Sequence, residues 1–152
     1  MSTFTFAGLP AAVGQRLGAS RWFEVRQERI DLFAAAVEGE QWMHVDPERA
    51  ASGPFGTTIA HGFLTLSLLS AMLDDLLEVE NTGMAVNYGL DRVRFTAPVP
   101  VGSRLRGIGT LGAVTEVGSG LQATLNITVE IEGSIKPACV ADWLVRYSPD
   151  AA

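Results

Sequence analysis

The sequence predicts an α+β chain in which one long apolar helix is wrapped by a curved antiparallel sheet. Three observations carry this. From about Ala60 to Leu77, leucines, Phe63 and Met72 occupy almost every face of a helix, so that helix must be covered on most sides. Everything after Gly83 alternates in the manner of strands. The chain has 152 residues, 47% of them apolar and 18% charged. That suits a single domain over residues 1–152 with a real core, and it is too apolar for a disordered chain.

The elements follow in order. Trp22 to Val25 is the first strand candidate. Ile30, Phe33, Ala34 and Val37 recur at i, i+3, i+4 and i+7, which is one face of a helix, and Gly39 is well placed to stop it. From Glu40 to Thr58 there is no period. Asp46-Pro47 and Ser52-Gly53-Pro54-Phe55-Gly56 are turn signals, and long irregular stretches in compact domains are often functional. The central helix comes next. Val86, Tyr88 and Leu90 then alternate, and Val93 and Phe95 continue in the opposite parity, so a bulge is expected near Asp91-Arg92. Pro98 to Gly102 turns the chain into Ser103–Val117, a strand weakened by three glycines. After Gly118-Ser119-Gly120, the odd residues from Leu121 to Ile131 are apolar and the even ones polar, giving one dry and one wet face. Cys139, Ala141, Trp143, Val145 and Tyr147 share a face of the last strand. One sheet around one helix leaves its edges open, and open edges invite a second copy, so a homodimer is expected.

Composition removes several classes of function. The net charge is −6 and no basic run exceeds a pair, which argues against a nucleic-acid partner. A ligand with a few phosphates stays open, because two or three arginines suffice for it. The single cysteine, Cys139, excludes an intrachain disulfide and reads as buried core. No basic and apolar leader opens the chain. The one apolar run long enough to consider for a membrane, Ile59 to Leu77, carries His61, Thr65, Ser67 and Ser70 and ends in Asp74-Asp75, so it reads as a core helix. No membrane partner is expected, and the cytoplasm is the default location.

The chain has two histidines, His44 and His61. Histidine is the side chain suited to proton transfer near neutral pH. His44 lies in the irregular stretch beside Glu38, Glu40 and Gln41, and a base with a carboxylate nearby is a general acid/base arrangement; the alternative is an ordinary structural histidine. His61 precedes Gly62 at the start of the buried helix. The first N–H groups of a helix have no partner within it and favour an oxygen that gains negative charge. Gly62 would let such an oxygen approach closely, or it serves only tight packing.

Phe33-Ala34-Ala35-Ala36-Val37-Glu38-Gly39-Glu40-Gln41-Trp42-Met43-His44-Val45-Asp46-Pro47 resembles the hydratase-loop motif of the MaoC-like dehydratases, the R-specific enoyl-CoA hydratases. Ile59-Ala60-His61-Gly62-Phe63 is similar to that family's start of the central helix, and Phe95 to Gly102 to its following strand and turn. The likeness runs from roughly residue 10 to 147, with three motifs in the right order. It implies a hot-dog fold, usually dimeric, with each site near the subunit interface. It implies hydration of a trans-2-enoyl thioester, usually of CoA, to an R-3-hydroxyacyl thioester, or the reverse dehydration, with no metal and no cofactor beyond the thioester's own carrier. His44 matches the family's catalytic histidine and Gly62 its oxyanion-hole glycine. Gln41, Gly39 and His61 fall at substrate-facing places, and Arg92 and Arg94 are candidates for CoA phosphates, since guanidinium suits phosphate geometry.

One departure stands out. The family pattern runs Gly-Asp-x-Asn-Pro-x-His, with the aspartate five residues before the histidine, and here that position is Gly39. Glu38 takes the glycine place, Glu40 the variable place, Gln41 that of the asparagine and Trp42 that of the proline. Glu40, or failing it Glu38, is the candidate to reach the catalytic water, helped by a backbone hinge at Gly39. Two other readings stay open. A protein that binds acyl thioesters without turnover would tolerate the missing aspartate. A thioesterase of the same fold would carry an acid inside the central helix, whereas Gly62 to Leu73 has none.

Overall fold

The computed structural model describes residues 1–150. Its architecture is a helical run packed on a curved antiparallel sheet, as expected. Strand β1 (Ser2–Thr5) is followed by a 3-10 turn (Leu9–Ala12), then β2 (Arg16–Ala19) and β3 (Phe23–Glu24). Helix α1 (Gln27–Val37) leads through two short helices, α2 (Trp42–Val45) and α3 (Pro47–Ala51), to α4 (Gly62–Ser67) and α5 (Leu69–Leu76). The strands β4 (Leu77–Glu80), β5 (Thr82–Phe95), β6 (Arg104–Val117), β7 (Gly120–Ile131) and β8 (Cys139–Pro149) complete the described chain. The main sheet has the order β2-β6-β7-β8-β5, with β3 also paired to β6.

The central helix is shorter than Ala60–Leu77 and has a junction. Leu68 separates α4 from α5, although it keeps right-handed backbone angles and donates its N–H to Leu64. Met72 in turn donates to the Leu68 carbonyl, so hydrogen bonding continues across the junction. His61 is extended and caps the start, and Leu77 is already strand. Leu64, Thr65, Leu69, Met72 and Leu76 are buried, but Phe63 is 69% exposed, so this part of the helix is not covered within one chain. Glycine explains how close the helix lies to the sheet. A Cβ on Gly107 would stand 3.1 Å from the Met72 sulfur, and one on Gly109 3.3 Å from a Leu76 methyl. The glycines that weaken β6 as a strand make room for α5.

The dry face of β7 is real. Leu121, Ala123, Leu125, Ile127 and Val129 are buried, with Leu125 opposite Leu111 on β6 and Trp143 on β8. Cys139 is fully buried, and burial pushes its thiol up to about 11. The register of β5 against β8 shifts between Leu90 and Arg92, where the change of parity places a bulge. Most apolar residues of β5 nevertheless stay out of the core: Met84, Val86, Tyr88, Leu90 and Phe95 are exposed along this edge strand, and Val93 alone of the large ones packs against the core. A two-stranded parallel pairing of β1 with β4 was not legible beforehand; it uses the residues that end the helical run.

Candidate active site

Two stretches of chain meet at the site. The first leaves α1. Its end is set by Glu38, whose backbone is left-handed at φ 56°, while Gly39 keeps an ordinary φ. The expected stop and hinge at Gly39 thus falls one residue earlier. Glu38 stands in the family's glycine place and adopts the conformation that glycine takes most easily. The Gly39 N–H donates to the Ala34 carbonyl. Gln41 is extended and opens α2, which carries His44.

The second stretch is Thr58–Gly62, which enters α4. It is tied to the first by the Ile59 N–H on the Met43 carbonyl and to the turn after β5 by the Ala60 N–H on the Val99 carbonyl. His44 Nδ1 lies 2.7 Å from the Ile59 carbonyl oxygen. A carbonyl only accepts, so the proton of a neutral His44 sits on Nδ1 and leaves Nε2 bare. Burial holds the His44 pKa below its ordinary value; the Ile59 carbonyl opposes this, and charge on His61 adds to it. His44 is therefore a neutral base poised at Nε2.

His44 is one wall of an apolar cleft of about 340 Å³. Gly62, Thr65, Phe55, Phe95 and Val99 line it as well. Gly62 begins α4, and a Cβ there would meet the Phe95 ring at 3.0 Å. The structure supports the packing reading of Gly62, and it also puts the Gly62 N–H at a helix start on the same cleft as His44.

The other candidate residues are more scattered. His61 stacks on His44 with ring centroids 3.7 Å apart, and its Nε2 donates to the Gly39 carbonyl at 2.7 Å. Glu40 and Gln41 line a separate open depression with Trp42, Asp46 and Arg49. Glu38 is exposed, and neither Glu38 nor Glu40 forms an ion pair among the described residues. Arg92 pairs with Asp142 at 3.5 Å, and the exposed Arg94 donates to its neighbour's carbonyl.

Sequence reasoning missed a bracket behind the base. Gln27 Nε2 donates to the His44 carbonyl at 2.7 Å, and Gln27 Oε1 accepts from the hydroxyl of Thr58, which is buried. Nothing in the sequence marks Gln27, a polar residue in the first turn of a helix, as the partner of a loop seventeen residues on. Thr65 is the other omission, a polar side chain buried among apolar ones on the cleft wall.

The MaoC like domain family matches residues 9–131. The chain belongs to the MaoC-like family. The 3-hydroxyacyl-thioester dehydratase Z of Mycobacterium tuberculosis (strain ATCC 25618 / H37Rv) is 55% identical over 149 residues, covering 97% of this chain and 99% of that protein. Nodulation protein N of Rhizobium leguminosarum bv. viciae is 48% identical over 155 residues, covering 99% of this chain and 96% of that protein. Among solved structures, the (R)-hydratase from A. caviae involved in PHA biosynthesis has a TM-score of 0.73 at 27% identity, covering 88% of this chain and 94% of that one. The fold of this MaoC-like chain is the hot dog of its relatives.

Proposed function

We propose that this MaoC-like chain is a lyase that hydrates trans-2-enoyl thioesters, carried by CoA, to R-3-hydroxyacyl thioesters and catalyses the reverse dehydration. The observation that carries the reading is the unprotonated Nε2 of a neutral His44, a residue that lines the same apolar cleft as Gly62 at the start of α4. His44 takes a proton from water, and the hydroxide oxygen bonds to C3 of the enoyl group. The electron pair of the double bond moves toward the thioester carbonyl, whose oxygen gains charge beside the Gly62 N–H. The proton that His44 took from the water is then delivered to C2, which returns the ring to its neutral form and completes the addition of water. No bond change in this sequence needs a metal or a cofactor. Glu40 is the carboxylate assigned to hold the water with His44, and Glu38 is second in line. From its present depression Glu40 reaches the cleft only by movement of the loop between Glu38 and Gln41.

The same reading places Gln41, Gly39 and His61 around the substrate, Arg92 and Arg94 toward the carrier phosphates, and the protein in the cytoplasm as one domain. No helix among the described residues is long and apolar enough to cross a membrane. It also makes the chain a homodimer, joined along the exposed apolar edge of β5 and the neighbouring Phe63. A monodisperse monomer at micromolar concentration would overturn that assembly.

The experiment is to offer crotonyl-CoA and follow the loss of enoyl absorbance, then determine the configuration of the 3-hydroxyacyl product. Formation of the R product supports the reading. Release of free thiol instead would make the chain a thioesterase. Tight binding of acyl-CoA without turnover would make it a binding protein, the reading favoured by glycine in the aspartate slot.

A further inference from the structure

The two histidines are not independent. Their rings stack at 3.7 Å with planes 25° apart, and Phe33 covers His61 at 5.1 Å. His61 Nε2 must carry a proton, because the group 2.7 Å from it is the Gly39 carbonyl. Its Nδ1 is sealed from solvent and has no hydrogen-bond partner. His61 therefore touches both ends of the loop that the missing aspartate would have anchored: the backbone of Gly39 and the ring of His44. A Cβ on Gly39 would lie 3.5 Å from His61 Nε2, so a side chain at 39 would start against this same ring.

We infer that His61 is a positioning residue for the reaction, clamping the Gly39 carbonyl and bracing the His44 ring so that its bare Nε2 keeps its place on the cleft without a carboxylate at position 39. This rests on the hydratase reading only for its kinetic consequence. The physical argument is about the loop. Among the described residues no side chain but His61 bonds the segment from Glu38 to Gln41; its other ties are backbone bonds, among them those of Gly39 to Ala34 and of His44 to Gln41. Glu38 and Glu40 are exposed and unpaired among the described residues, and the left-handed backbone at Glu38 is not one a glutamate adopts freely. The His61 to Gly39 hydrogen bond offsets that cost at the neighbouring residue. The stacked ring leaves His44 little freedom to turn about its remaining side-chain bonds once Nδ1 is tied to Ile59.

His61 also acts on the charge of His44. A positive charge on one ring opposes a proton on the other at this separation. Among the described residues no other charged side chain is seen to act on His44. On α1, Asp31 accepts from Gln27, Glu28 and Arg29 line a groove beside Trp22, and Glu38 is exposed. On the loop, Glu40 faces its own depression, and Asp46 is used up in capping α3 through the Arg49 N–H. The segments Thr58–Ala60 and Thr96–Val101 carry no charge.

The test compares the full-length wild type with His61→Phe and His61→Gln. The phenylalanine keeps a ring against His44 and loses both the donor and the charge; the glutamine keeps a donor for Gly39 and loses the ring. Two readouts are taken. The first is crotonyl-CoA kinetics. His61→Phe should lower kcat by about tenfold or more with KM changed little, because the base is misplaced rather than the substrate lost. The second needs no turnover: nitrogen and proton NMR of His44 across pH. The His44 midpoint should move up in His61→Phe, since the neighbouring imidazole that opposes its proton is gone. His61→Gln should recover part of kcat. If His61→Phe is folded and both kcat and the His44 midpoint stay within error of the wild type, His61 is only a core ring and the inference falls. If His61→Phe does not fold, the glutamine variant decides alone: an unchanged kcat and an unchanged His44 midpoint overturn the inference. A wild type that hydrates no enoyl thioester sinks the function proposed above, while the NMR titration still tests the clamp.

Discussion

The two stretches that form the walls of the site are built differently. The helix-start wall, Thr58 to Thr65, is pinned at nearly every residue. Ala60 is bonded to Val99, Gly62 is filled by Phe95, and Thr58 and Thr65 are buried. The loop wall, Glu38 to His44, is held by backbone bonds of Gly39 to Ala34 and Ile59 to Met43 and by the side chains of Gln27, His44 and His61, and the carboxylates of Glu38 and Glu40 are exposed. A wall fixed by packing can hold an oxyanion-binding N–H in place in the free protein. A wall tied through its backbone and by Gln27 and His61 can lack the aspartate and keep its histidine in place. The difference teaches that in this chain His44 and the Gly62 N–H are held by the fold, whereas Glu38 and Glu40 are exposed and unpaired among the described residues.

The strongest way to break this comparison is to remove the base. His44→Ala should lower crotonyl-CoA turnover by at least about two orders of magnitude, roughly 3 kcal/mol of barrier, with the fold intact by circular dichroism. Survival of activity within a few-fold would detach His44 from the chemistry.

The loop wall is sharpened by moving its carboxylate. Glu40→Gln removes charge and keeps shape, so turnover should fall about tenfold with little change in stability. Gly39→Asp with Glu40→Ala should restore it. The site has room for that aspartate: the φ at 39 suits any residue, and the tightest contact of a new Cβ is 3.2 Å to a methyl of the exposed Val37. Turnover untouched by Glu40→Gln but abolished by Glu38→Gln would transfer the role to Glu38. If neither change matters, the group lies elsewhere.

The smallest expected effect concerns the bracket that joins the walls. Gln27→Leu leaves the His44 carbonyl and the buried Thr58 hydroxyl unpaired, which should cost about 1–3 kcal/mol in urea unfolding. An unchanged midpoint would mean that water replaces the amide.

Much of this was legible in the sequence for local reasons. The strict alternation from Leu121 to Ile131 defines a half-buried strand, and the parity change before Arg92 locates a bulge. His44 and Gly62 stand out by residue type and by their place beside a turn and a helix start. What was illegible is non-local or lacks a chemical signal. Nothing in the leucine-rich run distinguishes Leu68 from its neighbours, so the helix junction could not be read. β1 is four residues long and pairs with β4 more than seventy residues away, where no pattern within either segment reveals the match. The stacking of His44 on His61 and the Gln27 bracket likewise depend on contacts across seventeen residues. The exposed face of β5 has the apolar pattern of a core strand, although nothing in this chain covers it among the described residues.

The central claim is that His44 works as a neutral base whose pKa is held down by its surroundings. The most direct test is kcat/KM for crotonyl-CoA hydration measured against pH, which reports the groups of the free enzyme. Only the neutral ring accepts a proton from water, so activity should be full above the His44 pKa and fall as pH drops through it. Burial and the neighbouring His61 lower that value from 6.5, so the account predicts a single acid limb centred below 6.5. A limb centred above 6.5, or activity that does not fall on the acid side while the protein stays folded, would contradict it.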